Sequence, residues 1–282
     1  MPFPANVLGI LFALTSALVW GGGDFSGGLA TRRNSQFQVL ALSALSGIVL
    51  LLVFAAARQE AFPSLPSSIW AMLAGACGAV GIAALYRALS IGYAASVAPT
   101  AAVIGAALPV GFSNVVEGMP DTTRMTGFVL ALLGIWLVSR PSHLAGSVSR
   151  QGFLLACLAG LGFGGFFILI AQVEPSRLFT PLVIARSVTF STALLLLRVY
   201  RLPLHALTDN PIALLAGLLD AGGNVFYLLA KQYTRLDVAA VLASLYPVTT
   251  VLLAGLILKE RVSGGQWIGV GICFAAIVLI TI

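Results

Sequence analysis

Apolar residues fill almost the whole chain in ten long stretches, separated by short segments that hold most of the charged residues. A helix needs about 20 apolar residues to cross a bilayer, and these stretches are continuous, unlike the short alternating strands of a barrel. The pattern therefore predicts an all-α integral membrane protein with ten transmembrane helices. The predicted spans are 6–30, 37–57, 68–91, 95–116, 124–139, 151–171, 180–200, 210–233, 236–258 and 263–282.

The ten stretches come as two similar sets of five. Residues of one type recur at a nearly constant offset: Gly9 with Gly152, Gly21 with Gly164, Tyr86 with Tyr227, Glu117 with Glu260 and Gly127 with Gly269. Because an odd number of spans turns the second set upside down in the membrane, we predict two inverted five-helix repeats, residues 6–140 and 151–282. Inverted repeats are typical of secondary transporters, which bind substrate between the halves.

Composition excludes several other classes of protein. The chain is 59% hydrophobic and 9% charged, whereas a soluble domain carries about 25% charged residues. Its net charge of +6 is scattered over the loops, so we expect no nucleic-acid partner. Cys77, Cys157 and Cys273 lie far apart in predicted spans, and His143 and His205 lie in loops without a nearby acidic cluster. We therefore expect no metal site and no cofactor.

The eighth predicted span carries a polar stripe, formed by Asp220, Asn224, Tyr227 and Lys231. Spacings of four, three and four place these residues on one helical face. A charge at the bilayer centre costs about 2.5–3.5 kcal/mol, so the stripe is expected to face a wet cavity. The alternative is hydrogen bonding between helices, with Lys231 extending to the membrane edge. The counterpart stripe of the third span is small or apolar apart from its last two residues: Ala79, Ala83, Tyr86 and Ser90.

Two further charges lie inside predicted spans. Asp24 follows Trp20 by one turn within a glycine-rich stretch, residues 21–28. It could titrate during transport or bind a substrate ammonium, or it lies at the surface if the span ends early. Arg186 could extend to the near surface, pair with Asp220 or Asp24, or hold a substrate carboxylate in a fork of donors.

Aromatic residues of the spans could surround an amphipathic solute, although Phe163 and Phe167 could equally be ordinary helix packing. Pro247 should remove a helix hydrogen bond in the ninth span and free a carbonyl near the site. The candidate substrate-binding residues are Trp20, Asp24, Tyr86, Arg186, Asp220, Asn224, Tyr227 and Tyr246.

Three short segments and a glycine carry a family resemblance: Ala-Leu-Val-Trp-Gly at 17–21, Leu-Tyr-Pro at 245–247, and Leu-Lys-Glu-Arg-Val at 258–262 followed by Gly269. With this order and spacing, the whole chain resembles the drug/metabolite transporter superfamily in its ten-helix form with two EamA-type repeats. The first repeat departs from the family pattern, since Ile104 stands where a proline is expected.

The resemblance implies a multi-pass transporter of the cytoplasmic membrane, often an exporter, with both termini cytoplasmic. It also implies a central cavity lined by the first, third and fourth helices of each half. The second helix of each half would be a moving gate, so that Ala41 and Leu196 would report on gates at opposite faces. The fifth helix would be a rear support.

We therefore expect a secondary-active transporter, not an enzyme, that exports small amphipathic metabolites such as amino acids by alternating access, as a monomer in the bilayer. The alternative is an integral membrane enzyme acting on lipid-linked substrates, which would need acidic, His or Arg residues clustered at one face. The orientation is ambiguous. Cytoplasmic termini would put five basic residues inside and nine outside, against the positive-inside rule.

Overall fold

The protein is described from a computed structural model that covers residues 4–91, 94–140, 150–204, 206 and 209–282. Within these residues every regular element is an α-helix. The helices are α1 (Ala5–Ala30), α2 (Gln36–Ala57), α3 (Leu65–Ile91), α4 (Ala94–Val116), α5 (Thr122–Val138), α6 (Arg150–Ile170), α7 (Phe179–Val199), α8 (Pro211–Tyr233), α9 (Leu236–Ala243), α10 (Tyr246–Ile257) and α11 (Gly264–Thr281).

The helices agree with the predicted all-α membrane fold. Over the described residues, nine segments are long and apolar enough to cross a bilayer, with α9 and α10 counted as one, and α5 is a shorter apolar helix of 17 residues. Only the ninth predicted span is divided, at Ser244 and Leu245. The cause is Pro247, which has no N–H to donate to the Ala243 carbonyl one turn earlier.

Several helices begin where a polar side chain caps them. Ser35 and Ser263 each form a capping box, with Gln38 at the start of α2 and Gln266 at the start of α11. Asp121 accepts a hydrogen bond from the Arg124 amide at the start of α5. Such caps satisfy backbone N–H groups that have no partner inside the helix, so they fix where these spans begin.

The contacts between helices of the two halves are reciprocal. The first helix of each half packs on the third helix of the other, α1 on α8 and α6 on α3. The same helix also contacts the fourth span of the other half, α1 on α9 and α10 and α6 on α4. The second helices pair as α2 with α7, and the fifth as α5 with α11. This reciprocity is what a two-fold relation between the repeats requires.

Equivalent glycines receive equivalent aromatic rings in the two halves. The Trp20 indole of α1 lies directly against Gly223 of α8. In the other half, the Phe163 ring of α6 lies against Gly81 of α3, where an added Cβ would be 2.9 Å from the Phe163 Cδ1 atom. Small residues let membrane helices approach closely, so these two glycines set the distance between the halves.

The loops gather at two ends of the bundle. At one end, here called end A, Arg32 pairs with Glu260 at 3.0 Å and the Gln38 side chain donates to the Pro203 carbonyl at 2.8 Å. At the opposite end, end B, Lys231 lies 3.2 Å from Glu117. Both chain termini that the structure describes also lie at end B, because α1 begins there and α11 ends there.

The expectation that Ala41 and Leu196 report on gates at opposite faces is wrong. Ala41 lies near the start of α2 and Leu196 near the end of α7, and both belong to one apolar cluster with Phe37 and Leu197. The two helices are antiparallel neighbours, so these positions lie at the same end, end A. Residues at the opposite end of the pair include Phe54 and Phe179, whose rings stack at end B with centroids 5.6 Å apart.

Candidate functional site

A central cavity of about 490 Å³ lies between the two halves. It is lined by α1, α2, α3, α4, α6, α7, α8 and the α9–α10 junction, and none of its lining residues comes from α5 or α11. The second helix of each half therefore lines the cavity, whereas the family resemblance implied a lining by the first, third and fourth helices alone. Gly28 and Thr31 line it towards end A and are exposed, so the cavity opens towards that end.

A second depression of about 560 Å³ lies on the outer surface of the bundle, between α3 and α7. Its lining residues include Met72, Val183 and Leu195, and it contains no charged side chain. Exposed apolar residues of this kind are what a bilayer-facing surface presents. The charged groups are instead in the central cavity.

Three charged side chains meet in the central cavity. Arg186 of α7 forms an ion pair and hydrogen bond with the Asp220 carboxylate of α8, which is one of the partners that the sequence offered. The Arg186 side chain is 8% exposed, whereas that of Asp220 is 46% exposed. Asp24 of α1 lines the same cavity and is exposed. Within the described part of the chain, Asp24 has neither a hydrogen-bond partner nor an ion-pair partner.

The backbone carbonyl of Asp220 organises the polar wall. The Trp20 indole N–H donates to it at 3.2 Å, and the Asn224 amide donates to it at 2.6 Å. Ser16 of α1 donates to the Gly223 carbonyl one turn further along α8, at 2.8 Å. These bonds fix α1 against α8, so that the carboxylates of Asp24 and Asp220 face the same space.

Aromatic rings form the floor of the cavity. Trp20, Phe167 and Tyr246 line it, and the Trp20 ring centroid is 5.5 Å from that of Phe167 and 6.5 Å from that of Tyr246. Tyr227 does not line it. Its side chain is fully buried behind these rings, and its hydroxyl donates to the Phe167 carbonyl at 2.9 Å, so a ligand in the cavity would meet Trp20 and Phe167 first.

The polar stripe of the eighth span is divided between the cavity and end B. Asp220 and Asn224 line the cavity, whereas Lys231 reaches Glu117, which follows α4. Burial opposes ionisation of Glu117, but the nearby Lys231 ammonium and the Ser113 hydroxyl outweigh it and lower the pKa of Glu117. The charged pair therefore connects the two halves at end B.

The structure does not describe the side chains of several residues singled out in the sequence, among them Ser90 of α3. The α3 backbone is described at Tyr86, but its side chain is not, so its predicted part in the site stays a prediction. His143 and His205 also lie outside the described residues. Among the residues that the structure does describe, no group of three His, Cys, Asp or Glu side chains could hold a metal ion.

The wall opposite α8 is small and apolar. It consists of Gly78, Ile82 and Leu85 of α3, Ala101, Ala102 and Gly105 of α4, and Phe163 and Phe166 of α6. In the comparison of the two repeats, the counterpart of Asp220 is Ala79, a buried apolar residue of α3. The cavity is therefore asymmetric in chemistry although the backbone that encloses it is reciprocal.

Sequence reasoning missed Ser244 at the α9–α10 junction. Its side chain lines the cavity and is 3% exposed, and its hydroxyl oxygen has no hydrogen-bond partner among the residues that the structure describes. The sequence did contain a signal for this position, because Pro247, three residues later, indicated an interrupted helix. Ser43 and Thr189, on α2 and α7, were missed because those helices look like smooth apolar gates in the sequence.

Known proteins similar to this chain agree with the fold. A solved crystal structure matches with a TM-score of 0.74 and 19% sequence identity, over 96% of this chain and 95% of that chain. No match to an individually curated protein was found. A model of the EamA-like transporter family matches twice, at residues 7–140 and 150–282. The chain therefore belongs to the EamA-like transporter family and is a multi-pass membrane protein built from two EamA repeats.

Proposed function

We propose that this protein is a secondary-active transporter that exports small amphipathic metabolites, such as amino acids, across the cytoplasmic membrane by alternating access. The observation that carries the proposal is the central cavity, which combines Asp24, Asp220 and Arg186 with aromatic and small apolar walls inside an apolar bundle. Pockets of about 300–1,000 Å³ hold small ligands, so the cavity volume of about 490 Å³ suits one metabolite. Export is the direction that the family resemblance implies.

Alternating access is supported by the reciprocal packing of the halves. The cavity opens towards end A, while contacts between the halves cover end B. Among these contacts, Glu60 of the segment after α2 accepts hydrogen bonds from the backbone N–H groups of Phe179 and Thr180 at the start of α7, at 2.9 and 2.7 Å. Exchanging the roles of the two halves would produce the converse state, open at end B, around the same central site.

The proposal is tested by blocking the cavity during transport. The purified protein is placed in liposomes, and counterflow is measured over a panel of metabolites. Cysteine is then introduced at Gly28, which lines the cavity with no neighbour within 4 Å of an added Cβ. The native residues Cys77, Cys157 and Cys273 are first replaced by alanine.

A small water-soluble thiol reagent should label the Gly28→Cys protein and stop counterflow. The matched control is Leu18→Cys on the same helix, because Leu18 is 61% exposed on the outer surface that the bilayer would cover. That variant should neither react nor lose transport. Full counterflow by a labelled Gly28→Cys protein, or no counterflow of any metabolite by the unmodified protein, would refute the proposal.

A further inference from the structure

We propose that the cavity selects amphipathic monocations, namely ammonium groups on an apolar or aromatic body, with Asp24 as their counter-ion. It should discriminate against the zwitterion and the anion of the same body. This inference rests on the proposed function and narrows its substrate class, within small amphipathic metabolites, to amino compounds whose carboxylate is absent or masked, so that free amino acids are disfavoured.

The charge that faces the open space of the cavity is acidic. Asp24 is exposed and Asp220 is 46% exposed, whereas the Arg186 side chain is only 8% exposed. With two carboxylates and one guanidinium, the cavity also holds one carboxylate that has no basic partner among the described residues. An entering solute therefore meets carboxylate oxygens before it meets a positive group.

Arg186 is already engaged by the protein. It donates to the Asp220 carboxylate, and its guanidinium lies beneath α2, where a Cβ added at Gly47 would be 3.4 Å from Arg186 Cζ. A substrate carboxylate could reach Arg186 only by displacing Asp220, which would leave that carboxylate without its partner. Such an exchange would replace one carboxylate partner of the buried guanidinium by another and leave Asp220 unpaired, so the arrangement disfavours anionic groups.

Among the charged groups of the cavity, Asp24 is the one without a partner in the part of the chain that the structure describes. It lies between Gly23 and Gly27, where α1 and α8 are in close contact, and an added Cβ at Gly23 would be 3.3 Å from the Asp220 amide nitrogen. An uncompensated charge within a membrane protein is costly, and two carboxylates that line one cavity repel each other. A monocation offsets both effects, whereas a zwitterion brings a further carboxylate into the same space.

The remaining walls suit an organic cation better than an inorganic one. Aromatic rings attract a cation placed over their faces within about 6 Å, and Trp20, Phe167 and Tyr246 line the cavity on the side of Asp24. Opposite them, Gly78 and Ile82 provide small apolar surface for the body of the solute. The combination requires a positive head group attached to an apolar body.

The test uses three probes that share one phenyl body and differ in charge. They are (2-phenylethyl)trimethylammonium, which is a permanent cation, phenylalanine, which is a zwitterion, and 3-phenylpropionate, which is an anion. Binding to the purified protein in detergent is measured by calorimetry, and exchange of each probe is measured separately in liposomes. We expect the cation to bind at least about ten-fold more tightly than the other two.

The variant Asp24→Asn should weaken cation binding by about ten- to a hundred-fold. Asp24→Glu, which keeps the carboxylate, should retain most of the affinity for the cation. The matched control is Asp121→Asn, since Asp121 caps α5 outside the cavity and asparagine caps helices equally well. This control should bind the cation as the unmodified protein does. If Asp24→Asn does not fold, the proposal is tested by the order in which the unmodified protein and Asp24→Glu bind the three probes.

The outcomes separate this inference from the proposed function. Tighter binding of phenylalanine or 3-phenylpropionate, equal binding of the three probes, or no binding of any, overturns the charge selection. Exchange of one of those two probes in liposomes would still uphold transport. Cation binding that depends on Asp24 without exchange of any solute would uphold the charge selection and contradict the transport proposal.

Discussion

Gly223 and Gly81 are two glycines at which an aromatic ring of one half lies directly against a helix backbone of the other half. Each is covered by the ring of the first helix of the other half, Trp20 or Phe163. A methyl group added at either position would have to displace that ring or the helix that carries it. The cost of such overpacking in a well-packed interior is typically about 1–3 kcal/mol.

We therefore expect Gly223→Ala and Gly81→Ala each to destabilise the protein by about 1–3 kcal/mol, measured by thermal unfolding in detergent. The control is Gly271→Ala in α11, where an added Cβ would have no neighbour within 4 Å. Because alanine favours a helix over glycine by about 0.5–1 kcal/mol, the control should unfold at the same or a higher temperature. Unchanged unfolding temperatures for both test variants would contradict this packing.

Arg186 illustrates how a single charge becomes interpretable only through its neighbours. Its position in the seventh span left open whether it extends to the surface, pairs with a carboxylate or holds a substrate. The structure pairs it with Asp220 on α8, and this pairing leaves Asp24 as the carboxylate without a partner among the described residues of the cavity. The pairing depends on how α7 and α8 are rotated about their axes, which residue types do not specify.

At the scale of elements, the start of α7 depends on Glu60, which lies in the segment between α2 and α3. The residue before α7 is Leu178, and its apolar side chain does not cap the first turn. Instead, the Glu60 carboxylate accepts hydrogen bonds from the backbone N–H groups of Leu178, Phe179 and Thr180, at 3.1, 2.9 and 2.7 Å. Glu60 thereby joins the end of α2 to the start of α7 at end B.

We expect Glu60→Ala to increase amide hydrogen exchange in the first turn of α7 by about ten-fold, because losing a helix cap costs about 1 kcal/mol or more. Exchange read by mass spectrometry over residues 178–182 measures this. Glu260→Ala is the control, since Glu260 forms an exposed ion pair with Arg32, and such pairs contribute little. Equal exchange in the two variants would mean that Glu60 does not hold α7.

The divided ninth span is an element whose existence could be predicted but whose exact break could not. Pro247 indicated a lost hydrogen bond, and the helix is indeed interrupted, at Ser244 and Leu245. The interruption places the buried Ser244 hydroxyl at the cavity, with no hydrogen-bond partner in the described part of the chain. This placement depends on how α9 is rotated against α1 and α4. A proline in the sequence indicates where a helix can be interrupted, but not which side chains at the interruption face the cavity.

At the scale of the whole molecule, the reciprocal packing of the halves leads to a prediction about motion. Spin labels at Arg33 and Gln151 mark the end-A tips of α1 and α6, and labels at Met119 and Tyr233 mark end B of the two halves. Under the proposed alternating access, the first pair should move closer during substrate exchange while the second separates. Pulsed electron spin resonance with and without substrate measures both distances.

Each labelled protein must first be shown to transport substrate, so that fixed distances in an inactive protein are not taken as evidence against alternating access. An added solute that is not exchanged serves as the control and should leave both distances unchanged. Fixed distances in a protein that demonstrably exchanges substrate would favour a channel-like path through the bundle over alternating access.

The sequence by itself determined the ten spans, the two repeats and the family. These follow from local properties: the length and continuity of apolar runs, short motifs in a fixed order, and residues that recur at nearly constant spacing. The spacing of Asp220 and Asn224 also indicated one polar face of one helix, and both residues line the cavity.

Only the tertiary structure decided which helical faces meet. It buried Tyr227 behind Trp20 and Phe167, brought Lys231 to Glu117 at end B, and placed α2 and α7 in the cavity wall. The physical reason is that helical periodicity specifies which residues share a face, whereas the rotation of each helix is set by packing against residues far away in the chain. In an apolar chain with so many small residues, many rotations satisfy the local pattern, and close contacts such as that of Trp20 with Gly223 select among them.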